Sequence, residues 1–225
     1  MANVKQGVAN WLRHKLMVKK EMISMRPGKF SEREIEYAFL FNNLHHSPGP
    51  KVLEVAPGKS GMTLPLQHCG YDVTAIDMDV AHPWVHQGDA TQLQYEDNSF
   101  DAACSISVYE HIPDVDKAMS ELFRVVVPGG IIILSFPYNA EQFVPDIYEH
   151  IDPDGYIVAI YSEQKLREWF DNRAEMLARD YWKQWDGELF GQGEKLKGMN
   201  GKYIRTFRSN QKEAQGICVC VRKLK

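Results

Sequence analysis

From Lys51 onward, short apolar runs alternate with longer mixed segments, and this rhythm restricts the chain to few folds. The runs are "KVLEVA", "DVTAIDMD", "SFDAACSISV" and "GGIIILSF". Each has the length of a strand, and helical or loop segments of about 10–20 residues separate them. Such alternation predicts an α/β chain with αβα layers around an open parallel sheet joined by right-handed crossovers. The last run, "GICVCV", reads as a terminal strand, and the stretch "RAEMLARDYWKQWDG" supplies its neighbour. Ahead of the alternating region, Val4, Val8, Trp11, Leu12 and Leu16 recur at helical spacing. Ser31 and Glu34 form a capping-box pair that opens a second helix running to about Leu44, with Ile35, Phe39 and Leu40 on one side. "SPGP" at Ser47–Pro50 then breaks it. The chain is therefore expected to be one domain, with residues 1–48 as a helical N-terminal extension and 49–225 as the core.

Composition narrows the class further. Hydrophobic residues make up 44% and charged residues 25% of the 225, close to soluble globular averages, which excludes disordered, collagenous and disulfide-dense chains. No apolar run approaches the ~18 residues of a membrane helix, and the N-terminus lacks the apolar core of a signal peptide, so a cytoplasmic location is expected. The four cysteines, Cys69, Cys104, Cys218 and Cys220, read as reduced thiols. On a strand Cys218 and Cys220 share one face in poor geometry for a disulfide.

In an open parallel sheet, ligands bind beyond the carboxyl ends of the strands where the strand order reverses. The first strand runs into "EVAPGKSG", where Gly58 and Gly61 allow close backbone approach and Ala56 is small. This is not the dinucleotide fingerprint, since Ala56 stands at its first glycine and Pro57 stiffens the turn. A tight turn with no ligand would look the same. The next strand ends in Asp77, placed to accept hydrogen bonds from both hydroxyls of a ribose. "QGDATQL" puts Asp89 at the end of a third, short strand, where a carboxylate can accept from an adenine amino group while the Ala90 backbone reads the ring. Only 12 positions separate the two acids, too few for a full helix in "MDVAHPWVHQG", and Pro83 disfavours one.

The ordered set "VLEVAPGKSG", "VTAID", "GDATQLQYEDNSFDAACSISVYEHIPD" and "ELFRVVVPGGIIILSFP" resembles the class I S-adenosylmethionine-dependent methyltransferases, over roughly Lys51 to Asn139. The resemblance implies a Rossmann-like αβα sandwich whose mostly parallel, seven-stranded sheet has an antiparallel last strand. It implies S-adenosylmethionine as cofactor, with S-adenosylhomocysteine as product. It places Ala56 and Gly58 beside the methionine part, Glu54 among the cofactor-binding residues and Asp77 on the ribose. Where the family commonly has a helix after Asp77, this chain has no room for one, and Trp84 or Met78 is expected to pack against the adenine instead. Asp89 and Ala90 fall at the adenine, and Ser105 lends backbone to the methionyl amine. "SEREIEYAFLFNNL" ahead of the first motif is similar to members found beside glycan and natural-product pathways.

Methyl transfer from a sulfonium needs alignment of acceptor, carbon and sulfur, and a base when the acceptor is a hydroxyl. His111, in "YEHIPD", is the candidate base, with Glu110 or Asp114 to orient it and Tyr109 to line the acceptor pocket. Packing, or capping of the helix "DVDKAMSELFRV", is the simpler account of His111. Tyr138 and Asn139, after the next strand, are further pocket candidates by position. No metal is expected, because Asp77 is committed to ribose although His82, His86 and Asp79 lie near it in sequence. Two basic segments, residues 1–30 and 192–213, suggest steering of an anionic acceptor, the second as a lid over Gln192–Lys212 and the first as part of an acceptor cap. Solvated faces account for the same charges. The expected activity is methyl transfer to a small-molecule or glycan acceptor, a hydroxyl foremost. The alternatives are a non-catalytic adenosyl-binding regulatory protein and a methyltransferase acting on nucleic acid or an amine. No nucleic-acid module is recognisable, and a homodimer is compatible with the chain.

Overall fold

The computed structural model describes residues 32–58, 61–80, 82–145, 159–185 and 203–225. The expected helix over Val4–Met17, Ser31 of the capping box and Lys195, Lys197 and Lys202 of the expected lid lie outside the described residues. Helix α1, Arg33–Asn43, begins within two residues of the expected start. It ends where the Asn43 side-chain amide donates to the Phe39 carbonyl at 2.8 Å, and one 3₁₀ turn, Leu44–His46, follows.

The alternating region forms β1 (Lys51–Val55), α2 (Thr63–His68), β2 (Asp72–Asp77), β3 (Val85–Gln87) and β4 (Phe100–Ile106). It continues through a 3₁₀ turn (Tyr109–His111), α3 (Val115–Val125) and β5 (Val126–Pro137). Then come α4 (Glu163–Phe170), β6 (Ala174–Trp185), β7 (Tyr203–Arg208) and β8 (Gly216–Lys223). Among the described residues the strands make one sheet in the order β3-β2-β1-β4-β5-β8-β6-β7. β1 to β5 pair in parallel, and β8 runs antiparallel to both β5 and β6. The expected seven strands with an antiparallel last strand are present. An eighth, β7, adds to the edge beside β6, so part of the segment expected as a loop over Gln192–Lys212 is a strand. Between β2 and β3 no helix occurs among the described residues, as the spacing of the two acids requires.

Side-chain alternation divides the core between the two faces of the sheet. Val52, Ala102, Cys104, Ile131, Ile133, Cys218 and Cys220 face one way and pack with Phe39 and Leu40 of α1 and Leu66 of α2. Leu53, Ala103, Ile132, Leu134, Val219 and Val221 face the other way, against Met119 and Leu122 of α3 and Leu166 and Trp169 of α4. Cys218 and Cys220 thus share a face as free, buried thiols, and burial pushes the Cys220 thiol up to about 12.

Polar clamps fix the helices on the second face. Asp116 of α3 accepts from the Trp169 indole at 2.7 Å and from Lys165 of α4. Arg124 donates to the Leu93 and Tyr95 carbonyls and to Asp97 and Glu121, while Glu121 accepts from the Leu93 amide. This cluster holds the chain that leads from Asp89 into β4 beneath α3. Among the described residues no helix is long and apolar enough to cross a membrane.

The tightest approach in the sheet is Gly216 of β8, paired with Trp182 of β6, where a Cβ would overlap the buried indole. Gly216→Ala should therefore destabilise the fold by about 1–3 kcal/mol, the range for overpacking a filled core. Chemical denaturation measures it, and an unchanged midpoint would contradict this packing.

Candidate functional site

The sheet order reverses at β1, between β2 on one side and β4 on the other. β1 carries the chain into a turn with two left-handed residues. Ala56 has φ 53° and Gly58 has φ 59°. The Ala56 amide still donates to the Ile76 carbonyl of β2 at 2.7 Å, so the ladder persists up to the turn. A left-handed conformation costs an alanine roughly 1–2 kcal/mol, and strain of this kind collects at functional sites. At Gly58 nothing lies within 4 Å of the position a Cβ would take, so the turn presents open backbone.

Two carboxylates set this turn from opposite sides. The Gly58 amide donates to Asp77 Oδ2 at 2.9 Å, and the Asp79 amide donates to Asp77 Oδ1 at 3.0 Å. Asp77 lies half-buried at the end of β2, and each oxygen keeps a second lone pair for a further donor. Glu54 points the other way. Its carboxylate is buried and accepts from the Met62 amide at 2.6 Å and from the Thr63 hydroxyl, at the start of α2. Burial raises its pKa and those two bonds oppose the rise. Glu54 therefore braces the loop from beneath while also lining the cavity beside it.

Across the gap, the Ser105 hydroxyl donates to the Val55 carbonyl at 3.0 Å, joining β4 to the end of β1. Between the Ala56–Gly58 turn and the end of β4 lies a cavity of about 330 Å³. Arg33 and Tyr37 of α1 form one wall, Ser105–Val108 another, and His111 stands at its border. Asp77 and Asp89 lie outside the cavity, along the open carboxyl ends of β2 and β3. Asp89 is exposed and accepts from the Thr91 amide and hydroxyl, both at 2.8 Å. Met78 is 73% exposed beside Asp77, Ala90 packs partly into the core, and Trp84 stacks on His82 with ring centres 4.7 Å apart.

This donor and acceptor set fits an adenosyl amino acid. Two carboxylates in line can accept from ribose and adenine, and an unobstructed turn plus the adjoining cavity can take the amino-acid end and the reacting centre. The exposed Met78 supplies an apolar surface for a ring.

His111 ends the 3₁₀ turn, with its amide donating to the Val108 carbonyl at 2.8 Å. Its Nε2 lies 3.8 Å from Oε1 of Glu110. Glu110 is buried, and among the described residues its Oε2 has no hydrogen-bond partner. Burial, reinforced by the nearby Glu36, pushes its pKa up to about 8. At neutral pH it therefore meets His111 mainly as a neutral acid and not as an orienting carboxylate.

The other expected acceptor residues fall elsewhere. Tyr109 is 1% exposed and packs in the core, so it does not line the cavity. Tyr138 is equally buried; its hydroxyl donates to Glu163 at 3.0 Å and accepts from Gln211 at 3.2 Å. Asn139 uses Oδ1 to accept from the Glu141 and Gln142 amides, closing a turn. Asp114 caps α3 by accepting from the Lys117 amide. Sequence reasoning missed Arg33, Glu36, Tyr37 and Ser107. The available signal was an acid, Glu36, set at helical spacing from Phe39 and Leu40 on the apolar side of α1.

The raised pKa of Glu110 makes stability depend on pH. The folded chain keeps a proton that the unfolded chain releases near the ordinary value of 4.5, so stability falls as pH rises from there to about 8. Glu110→Gln cannot ionise. Its melting temperature should gain on that of the parent across this window, by an amount equivalent to a few kcal/mol at most. Parallel pH profiles for the two chains would refute the assignment.

Residues 53–134 match the family model described as a methyltransferase domain. A demethylmenaquinone methyltransferase of Streptomyces avermitilis is 27% identical over 174 residues, 66% of this chain and 72% of that protein. A sterol 24-C-methyltransferase of Gibberella zeae is 30% identical over 131 residues, 51% of this chain and 33% of that protein. The Burkholderia thailandensis 1,6-didemethyltoxoflavin-N1-methyltransferase, solved with its substrate and S-adenosylhomocysteine, shares the fold. Its TM-score is 0.57 at 14% identity, covering 98% of this chain and 90% of that one. The matched segment runs from β1 into β5 and carries the strained turn, Asp77 and Asp89; the matching model, the relatives and the shared fold together support a class I S-adenosylmethionine-dependent methyltransferase, with S-adenosylmethionine as the cofactor.

Proposed function

We propose that the protein methylates a small, largely apolar acceptor that carries an acidic hydroxyl, of the phenol or quinol type. The observation that carries this reading is the placement of His111 on the border of the cavity that adjoins the Ala56–Gly58 turn. Tyr37, Met62, Ile106 and Val108 among the lining residues favour an aromatic or aliphatic acceptor over a sugar. The name of the Streptomyces avermitilis relative points to a quinone-related acceptor, which agrees with such a lining.

When bound, S-adenosylmethionine supplies a methyl group on a sulfonium. Asp77 would accept from the ribose hydroxyls, Asp89 and the Ala90 backbone would hold the adenine, and the Ser105 backbone would hold the methionyl amine. His111 accepts the hydroxyl proton at one ring nitrogen. A deprotonated phenol is nucleophilic at its oxygen and at the ring carbons ortho to it. After transfer to carbon the ortho C–H proton moves to the oxygen and restores the ring, so one proton passes to the same base in either case. A general base near neutral pH is the usual role of an imidazole, and His111 stands beside the cavity where the acceptor would lie.

Calorimetry with S-adenosylhomocysteine tests the cofactor residues. Asp77→Ala should weaken binding by about 1.5–3 kcal/mol, the scale of hydrogen bonds to a charged group, and undiminished affinity would remove Asp77 from the site. A methyl-transfer panel of phenols, quinols, sugars and amines tests the acceptor, with product NMR separating oxygen from carbon methylation. His111→Ala should lower turnover on the phenolic acceptors by about 10²–10⁴ while S-adenosylhomocysteine affinity holds. Turnover confined to sugars or amines would overturn the acceptor class.

A further inference from the structure

Glu36 of α1 is completely buried, with 0% exposure, yet it lies at the boundary between that helix and the site. Its two oxygens face different elements. Oε2 accepts from the Arg33 guanidinium at 2.7 Å, one turn earlier on the same helix. Oε1 accepts from the Ser107 hydroxyl at 2.7 Å, just past the end of β4. Ser107 is held from a third side as well, since its amide donates to the Ser135 carbonyl at 3.0 Å and approaches the Ser135 hydroxyl at 3.1 Å, on β5.

Ser107 is also strained. Its φ is 51°, a left-handed conformation that a serine adopts only when its surroundings hold it there. The residue after it, Val108, accepts the His111 amide and so begins the 3₁₀ turn that carries the imidazole. The torsion at Ser107 therefore aims that turn. A buried carboxylate is costly to keep unless it is paired and hydrogen-bonded, and here its partners are one cavity wall and the residue that aims the other.

We infer that Glu36 is a positioning residue for methyl transfer: it locks α1 onto the end of β4 and, through Ser107, sets the placement of His111 at the cavity. This inference rests on the reading of His111 as the base.

Glu36→Gln leaves one acceptor oxygen where two donors converge, so it can accept from Arg33 or from Ser107 but not from both, and the clamp between α1 and the end of β4 is broken either way. Ser107→Gly removes the hydroxyl but tolerates the left-handed torsion, so it removes the clamp without adding backbone strain. Three readouts apply to each variant: kcat and KM for the phenolic acceptor, calorimetric affinity for S-adenosylhomocysteine, and the His111 ring-proton shift in the S-adenosylhomocysteine complex, assigned with His111→Ala. Each variant should lower kcat by about 10- to 100-fold, the scale of a small misalignment of reacting groups, and leave S-adenosylhomocysteine affinity within about twofold. Each should also move the His111 resonance. A folded Glu36→Gln chain whose kcat and His111 resonance match the parent overturns the inference. If that chain does not fold, the same result for Ser107→Gly overturns it. Full turnover by His111→Ala, with the His111 resonance still displaced in the Glu36 variant, removes the base assignment and leaves the positioning contact standing.

Discussion

β1 pairs in parallel with β2 on one side and β4 on the other, so the chain must leave β1 in one direction across the sheet and later return past it. Right-handed crossovers then put the connecting helices on opposite faces. That is observed: α2 packs with α1 on one face, while α3 and α4 cover the other. No crossover spans the point of reversal, and the carboxyl ends of β1 and β4 stay open there. The strained turn at Ala56, the cavity and the border position of His111 all lie at this point. The clamps around Arg124 and Asp116 serve it at a distance, by seating α3 and the chain between Asp89 and β4 against the sheet.

Three buried glutamates surround the gap, and each is handled differently. Glu54 receives an amide and a hydroxyl from the start of α2, which fixes the loop below the turn. Glu36 is held by Arg33 and Ser107, which fixes α1 above it. Glu110 has one oxygen without a partner among the described residues, and burial leaves it a neutral acid over much of the physiological range. Burial raises the pKa of all three; side-chain donors oppose the rise at Glu54 and Glu36, and a single backbone hydrogen bond opposes it at Glu110. Unfavourable burial is thus concentrated where the backbone is also strained, at Ala56 and Ser107. A structure selected for stability alone would avoid both features.

The acceptor side differs in character from the cofactor side. Asp77 and Asp89 reach the site directly from strand ends, and little beyond the sheet is needed to place them. His111, Arg33 and Tyr37 come from a short turn and from a helix that precedes the sheet in the chain. Their arrangement depends on contacts between elements far apart in sequence, such as the bond between Glu36 and Ser107, 71 positions apart.

What the sequence determined by itself is what repeats locally or sits at the end of a periodic run. The short continuous apolar runs specified β1, β2, β4, β5 and β8, and the spacing of Cys218 and Cys220 specified their shared face, because strand side chains alternate whatever the neighbour. Asp77, Asp89 and the Ala56–Gly58 turn were legible because strand ends in a parallel sheet point to one edge. The tertiary structure alone decided the direction of the side chains beyond those ends. Tyr109 and Tyr138 follow strand ends as the expected pocket residues should, yet their rings turn into the core, where burying a large aromatic surface outweighs exposure at the edge. Glu110 reads as an orienting carboxylate in sequence, but its charge state depends on burial, which no local pattern reveals. Glu36 looks like a misplaced acid on an apolar helix face until Ser107 and Arg33 meet it, and only the folded chain brings those groups together.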